Sequence, residues 1–287
     1  MRFVSFRRGA ARGLAIEDAR GALRGYLAHE SEFPGELWGL IAAGPEALAA
    51  AGRRLAAGHD FAAADLSILP PLTSARKIIC VGLNYVDHAR EGGFVPPEFP
   101  TIFARFNSTL VGHGSPLVVP RVSAQLDYEG ELVAIIGRGG RHIAKSRALE
   151  HVIGYSIFND ASVRDYQLRT PQWTVGKNFD STGGFGPALV TADELPAGAR
   201  GLKLETRLSG RVVQSASTTD LIFDVASLIS LLSEALSFEP GDVLVTGTPA
   251  GVGAARKPPL FMKAGDVCEV AIEGLGTLVN PVVAEVG

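Results

Sequence analysis

Glycine and proline interrupt this chain at close, irregular intervals, and that punctuation constrains its fold more than any other feature. There are 34 glycines and 17 prolines among 287 residues, with glycine well above its usual share of about 7%. The spacing has no fixed triplet, so a collagen-like rod is excluded. Many short strands joined by tight turns fit it, because glycine tolerates the backbone angles that turns demand. Apolar residues make up 46% of the chain and charged residues 20%, enough for a sizeable core. The predicted class is mainly β with short helices, an α+β arrangement.

Charge narrows the function classes. A net charge of −3 leaves no basic footprint for nucleic acid and no polybasic patch for a membrane surface. No segment approaches the run of about 20 apolar residues that a membrane span needs. "MRFVSFRR" lacks the apolar stretch of a signal peptide and reads as an alternating strand. A cytoplasmic protein is expected. Cys80 in "IICVGL" and Cys268 in "DVCEVAI" belong to no CxxC pair, so both read as reduced, buried strand residues.

Two units are expected. Residues 1–70 read as a small N-terminal α/β module: three short strands, then "LWGLIAAGPEALAAAGRRLAAG", helical but interrupted at Gly44-Pro45. Residues 71–287 read as the larger unit. In it "KIICVGL" is a strand followed by a helix in "NYVDHAREGG", with Asn84 and Asp87 as a capping box and Gly92 at its end. "ASVRDYQLR" is a helix capped by Ser162, and a hairpin turns at Ser209-Gly210. "DVASLISLLSEALSFEPG" is an amphipathic helix, suited to a core or to an interface. "DVLVTGTPAGVG" is a strand running into a glycine-rich loop.

The stretch "LDYEGELVAIIG" carries the sharpest question. Read as one strand, it sends Asp127, Glu129 and Glu131 to the face that continues into Val133 and Ile135. A solvated strand face is the plain explanation. Against it, buried carboxylates are costly unless paired or metal-bound. Residues two apart on a strand stand about 7 Å apart, and their carboxylates can lean onto one ion at about 2.1 Å. Oxygen-only ligation suits a hard cation, Mg²⁺ or Mn²⁺. Asp160, at the end of "VIGYSIFND", is the best candidate for a further ligand. Arg164 and Gln167 share one helical face beyond it, and Lys177 sits among glycine and aromatic residues. His88 and Glu91, three apart in "HARE", also share a helical face, either as a surface ion pair or as a proton-handling pair.

Five motifs in order, "GLNYVDHAREGG", "LDYEGELVAIIG", "YSIFNDASVRDYQ", "VGKNFDSTGGFGP" and "GDVLVTGTPAGVG", resemble the fumarylacetoacetate hydrolase family, in its acylpyruvase or heptadienedioate-isomerase-like branch. The resemblance runs from about Lys77 to Pro281. It implies a β-roll catalytic domain, a homodimer, Mg²⁺ or Mn²⁺, and a small anionic 2-oxo or diketo acid as substrate. It also implies Glu129, Glu131 and Asp160 as metal ligands, with Asp127 a strand-end or supporting residue. His88 and Glu91 would activate water and Lys177 would stabilise oxyanion character. Arg164, Gln167 and Thr248 would bind substrate, and Arg105 would meet an anionic tail. The segment Gly92–Thr101 would be a lid or an ordinary loop.

The leading expectation is a metal-dependent hydrolase that cleaves a carbon–carbon bond in an acylpyruvate or related diketo acid. The alternative is an oxaloacetate-type decarboxylase, or an isomerase of an unsaturated 2-oxo dicarboxylic acid. A non-enzymatic binding protein is the remote rival. Trp173 and Phe179 are read as pocket walls or core. Ser181–Gly184 is expected to shape the distal pocket only if it edges it. His113, His142 and His151 are read as turn, hairpin-end and packing residues.

Overall fold

The computed structural model describes residues 1–91, 93, 95 and 97–286. Gly92, Phe94 and Pro96, which belong to the segment read as a lid or loop, lie outside the described residues, as does Gly287.

One large sheet organises the molecule. From His59–Phe61 at one end it runs through Leu23–Leu27, Ala11–Glu17, Arg2–Arg8, Gly183–Thr191, Val152–Asp160, Gly130–Ile136, Val243–Val245 and Ile78–Gly82 to Thr101–Ala104. The N-terminal strands therefore continue the catalytic sheet, with Phe3 opposite Leu189. A second sheet, in the order Arg211–Ser217, Lys203–Leu208, Val267–Ile272, Gly276–Ala284 and Leu117–Val119, covers one face of it. The result is the mainly β architecture expected, with few helices.

Side-chain alternation explains the two-sided core. Along Gly130–Ile136, Leu132, Ala134 and Ile136 pack with Leu204, Val270 and Ile272 of the second sheet. Val133 and Ile135 point the other way and join Phe158, Phe185 and Val245. A strand buried on both faces reads as a near-continuous apolar run, as this one does.

The helices cover what the sheets leave open. Helix α1 (Leu37–Ala42) and helix α2 (Pro45–Ala56) break at Gly44-Pro45 as predicted and bury Leu40, Ile41, Leu48 and Leu55. Helix α3 (Val86–Glu91) follows the strand Ile78–Gly82. Two short helices, α4 (Arg164–Gln167) and α5 (Thr174–Lys177), flank the cleft. Helix α6 (Val225–Ala235) is capped by Asp224, which accepts from the Ser227 backbone N–H at 2.8 Å. It buries Leu228, Ile229 and Leu232 in the core, so that apolar run packs internally. Among the described residues no helix is long and apolar enough to cross a membrane.

Three local expectations are corrected. Asn84 does not cap α3: its side chain bridges Thr246 O, Phe223 O and Phe223 N. Ser162 does not cap α4: its hydroxyl donates to Asp160 O, and Asp165 accepts from Ser123 Oγ instead. The acidic strand is two pieces, Leu126–Asp127 and Gly130–Ile136, which pair with different partners.

Candidate active site

The sheet's register assembles the acids. Gly130 lies opposite Asn159 and Glu131 opposite Phe158. One step further, the Asp160 N–H donates to Glu129 O at 2.9 Å. Opposed residues share a face, so Glu129, Glu131 and Asp160 converge although Glu129 lies just outside the regular strand. One oxygen from each lies within 4.8 Å of the others, and all three are buried.

Two parallel strands bring up the remaining parts. Ile78–Gly82 pairs with Val243–Val245, so both chains leave the sheet at one end. One leads into α3, with His88 and Glu91. The other leads into Thr246–Ala255. Gly247 takes φ +105°, a region costly for other residues, and its N–H reaches Glu131 Oε2 at 2.5 Å. Thr248 donates to Gly130 O at 3.0 Å and accepts from Gln214 Nε2 at 2.8 Å.

A chain of opposite charges runs through the floor. Lys177 Nζ bridges Glu129 Oε2 at 2.6 Å and Asp160 Oδ2 at 2.7 Å. Arg164 holds Glu129 Oε1 at 2.7 Å, Asp127 Oδ2 at 2.8 Å and Gln167 Oε1 at 2.8 Å. Its Nη2 is buried and has no hydrogen-bond partner. Burial opposes ionisation of Glu129, but Lys177 and Arg164 outweigh it and hold the carboxyl down at about 2. Burial, and then the charges of Asp160 and Glu129, push Glu131 well above the usual carboxylate range. Burial also disfavours the Lys177 ammonium, yet Asp160 and Glu129 raise its pKa.

This electrostatic state tests the fit to a metal. Four buried carboxylates (Asp127, Glu129, Glu131, Asp160) face three buried cations (Arg105, Arg164, Lys177). Among the described residues Glu131 has no ion-pair partner, only the Gly247 N–H. The deficit is one positive charge, and it falls on the carboxylate cluster. An oxygen-only set of this kind suits a hard divalent cation, so the residues present fit one.

The cleft above this floor has a volume of about 300 Å³. His88, Glu91, Glu129, Glu131, Arg164, Gln167, Lys177 and Thr248 all line it, together with Trp173. His88 Nδ1 lies 3.0 Å from Glu91 Oε1. Glu91 also accepts from Gly251 N at 2.9 Å and Val252 N at 3.4 Å, which pins α3 against the glycine-rich loop.

Arg105 is a correction. Its Nη1 lies 2.5 Å from Asp160 Oδ1, its Nη2 lies 2.6 Å from Thr182 Oγ1, and its side chain is fully buried. It props Asp160 from behind and does not line the cleft. Ser181–Gly184 does not edge the cleft either; Gly183 and Gly184 run in a strand, Gly183 against Arg105 and Phe158. Phe179 packs on Tyr166 in a separate apolar cluster. His113 accepts from Val279 N at 3.2 Å, and buried His151 contacts Arg138 O at 2.8 Å. Cys80 and Cys268 are both free and buried.

Asp127 is the strand-end, supporting residue expected, but its partners were not legible in the sequence. Its Oδ1 accepts from Tyr128 N at 2.8 Å and Gly253 N at 2.7 Å, and its Oδ2 from Ala254 N at 2.9 Å as well as from Arg164. It ties Arg164 to the loop that walls the cleft. The break at Tyr128-Glu129 lets it leave the strand alternation, and no spacing signal announces that break.

A β-rich frame with a carboxylate triad and a histidine–glutamate pair over it defines a class of enzyme, and comparison with known proteins agrees. The family model "Fumarylacetoacetate (FAA) hydrolase C-terminal" matches residues 77–283. The chain belongs to the fumarylacetoacetate hydrolase family and is an enzyme of that family, which generally uses divalent metals and acts on small organic acids. It is 40% identical over 290 residues to the human oxaloacetate tautomerase FAHD2A, mitochondrial, covering 99% of this chain and 92% of that protein. The structure of a fumarylacetoacetate hydrolase from Exiguobacterium antarcticum superposes with a TM-score of 0.86 at 35% identity, covering 99% of this chain and 100% of that one. That of a 2-hydroxyhepta-2,4-diene-1,7-dioate isomerase from Mycobacterium marinum does so with a TM-score of 0.76 at 30% identity, covering 100% of each.

Proposed function

We propose that the chain is a divalent-metal-dependent tautomerase of a 2-oxo dicarboxylic acid, with oxaloacetate the first substrate to test. This is nearer to the alternative drawn from the sequence, which paired oxaloacetate with decarboxylation and isomerisation with an unsaturated acid, than to hydrolysis, which it displaces as the leading reading. The carrying observation is the His88–Glu91 pair lining the same cleft as Glu129 and Glu131, whose carboxylates cluster with that of buried Asp160. The likeness to an oxaloacetate tautomerase supports it.

A Mg²⁺ or Mn²⁺ ion held by the triad would supply Lewis-acid polarisation of the 2-oxo group. The chain supplies the rest. The unpartnered Arg164 Nη2 binds a substrate carboxylate, and Gln167 and Thr248 orient its polar groups. In this reading His88 Nδ1–H donates a hydrogen bond to Glu91, which leaves the Nε2 lone pair free to take a proton. His88 takes the C3 proton and the 2-oxo oxygen gains one in its place, with the two transfers reversed in ketonisation, and Lys177 lends positive charge where the enolate oxygen develops. Tautomerisation needs only this proton carrier, whereas hydrolysis also needs a placed water.

Residues 1–70 form the structural module and residues 71–287 the catalytic unit in this reading, because every described residue lining the cleft lies at Val81 or beyond. Family membership supports a homodimer, and two free cysteines suit a reducing compartment such as the cytoplasm.

The test is a product-resolved panel of oxaloacetate and acetylpyruvate with Mg²⁺ and with His88→Ala. Oxaloacetate enol should ketonise faster, and the variant should lose about a hundredfold or more. Release of pyruvate and acetate from acetylpyruvate, with oxaloacetate untouched, would return the reading to hydrolysis.

A further inference from the structure

The floor and the walls of the cleft differ in chemistry. The charged groups are bonded to one another at the floor. The walls are Leu83, Phe103, Leu168, Trp173, Val252 and Ala254. Trp173 stands edge-on to Phe103, centroids 5.7 Å apart at 65°. Its indole covers Gly82, where a Cβ would sit 2.3 Å from the ring, so this approach requires glycine. Leu168 is 69% exposed at the rim.

A four-carbon diacid is strongly hydrated and offers these walls no apolar surface. Apart from His88, the described cations lining the cleft are Arg164 and Lys177, and both already hold carboxylates. Arg164 Nη2 is buried and without a hydrogen-bond partner. A ligand that uses the whole cleft therefore places its 2-oxo acid end at the floor and a planar apolar group against the walls above it. Burying such a group gains about 25 cal/mol per Å², and offset or edge-on aromatic contact adds to that.

We propose that the same site tautomerises 2-oxo acids bearing a planar apolar group on C3, the arylpyruvates. The proposal rests on the enolisation reading above. The step balances without a co-reactant. The C3–H bond breaks and its electron pair forms the C2–C3 double bond. The carbonyl π pair then takes a proton at O2, and ketonisation is the reverse.

The experiment follows the ultraviolet absorbance of phenylpyruvate enol, and of oxaloacetate enol in parallel, with the Mg²⁺-loaded protein. Acceleration of phenylpyruvate ketonisation by about tenfold or more over protein-free Mg²⁺ solution is expected. Trp173→Ala should lower kcat/KM for phenylpyruvate by about tenfold relative to oxaloacetate. Leu168→Asp changes an exposed side chain, so folding is preserved, and it should move the ratio the same way. Turnover of oxaloacetate without phenylpyruvate overturns this proposal and leaves the oxaloacetate reading standing. Turnover of phenylpyruvate alone supports it and removes oxaloacetate as substrate. Turnover of neither overturns both. Phenylpyruvate turnover with a ratio that neither variant changes overturns the role given to the apolar walls.

Discussion

Asp127 is fully buried and commits both carboxylate oxygens to Arg164 and to the backbone of Tyr128, Gly253 and Ala254. Asparagine there keeps the shape but turns an amide toward groups that also donate. Removing one member of a buried pair costs about 3–5 kcal/mol. Asp127→Asn should therefore lower stability by about 3 kcal/mol in urea unfolding. It should also raise KM more than it lowers kcat, because Arg164 and the loop lose their common anchor. Glu131 carries a different prediction. Burial and its acidic neighbours raise its pKa, so without metal it holds a proton to higher pH than an ordinary carboxyl. A metal requires the carboxylate. Ion binding should release a proton, and apparent affinity should climb with pH until that raised pKa is passed. Titration calorimetry in buffers of different ionisation enthalpy reads the proton directly.

Helix α3 shows what one short element contributes. It is too short to be stable alone, and Glu91 is what fastens it to Gly251 and Val252. Glu91→Ala should speed hydrogen exchange of the α3 amides and cut kcat by about a hundredfold, since His88 loses both its partner and its position. Helix α6 serves packing instead. Leu232→Ala should cost about 3 kcal/mol of stability and leave the relative activity of the folded protein near that of the parent. At this scale the sequence was informative where side-chain period governs. The α1–α2 break at Pro45, the hairpin at Ser209-Gly210 and the two-faced apolar alternation of Leu132–Ile136 are all where their patterns predict, although the strand breaks before Gly130. It misled where a polar side chain had a more distant partner. Asn84 looks like a helix cap and instead bridges chain segments 139 and 162 residues away. Local spacing cannot register such a contact.

The whole molecule makes the cleft by bringing distant chain segments to one end of a sheet. His88, Glu129, Lys177 and Thr248 line the cleft from four separate stretches, with Asp160 buried beneath from a fifth, and strand register and parallel pairing align them. Residue types and order pointed to the convergence. Depth did not show in the sequence, so Arg105 passed for a substrate contact although it stands behind Asp160. The charge deficit at Glu131 was equally hidden, because it depends on which cation reaches which acid in three dimensions.

The central claim is that the triad holds a divalent ion and that the cleft uses it for enol chemistry. The most direct test strips the protein with a chelator, reloads it with Mg²⁺ or Mn²⁺, and follows oxaloacetate enol in each state and in Glu131→Gln. Activity should vanish on stripping, return on reloading, and fail to return in the variant. Full activity in the stripped protein, or in reloaded Glu131→Gln, would contradict the account.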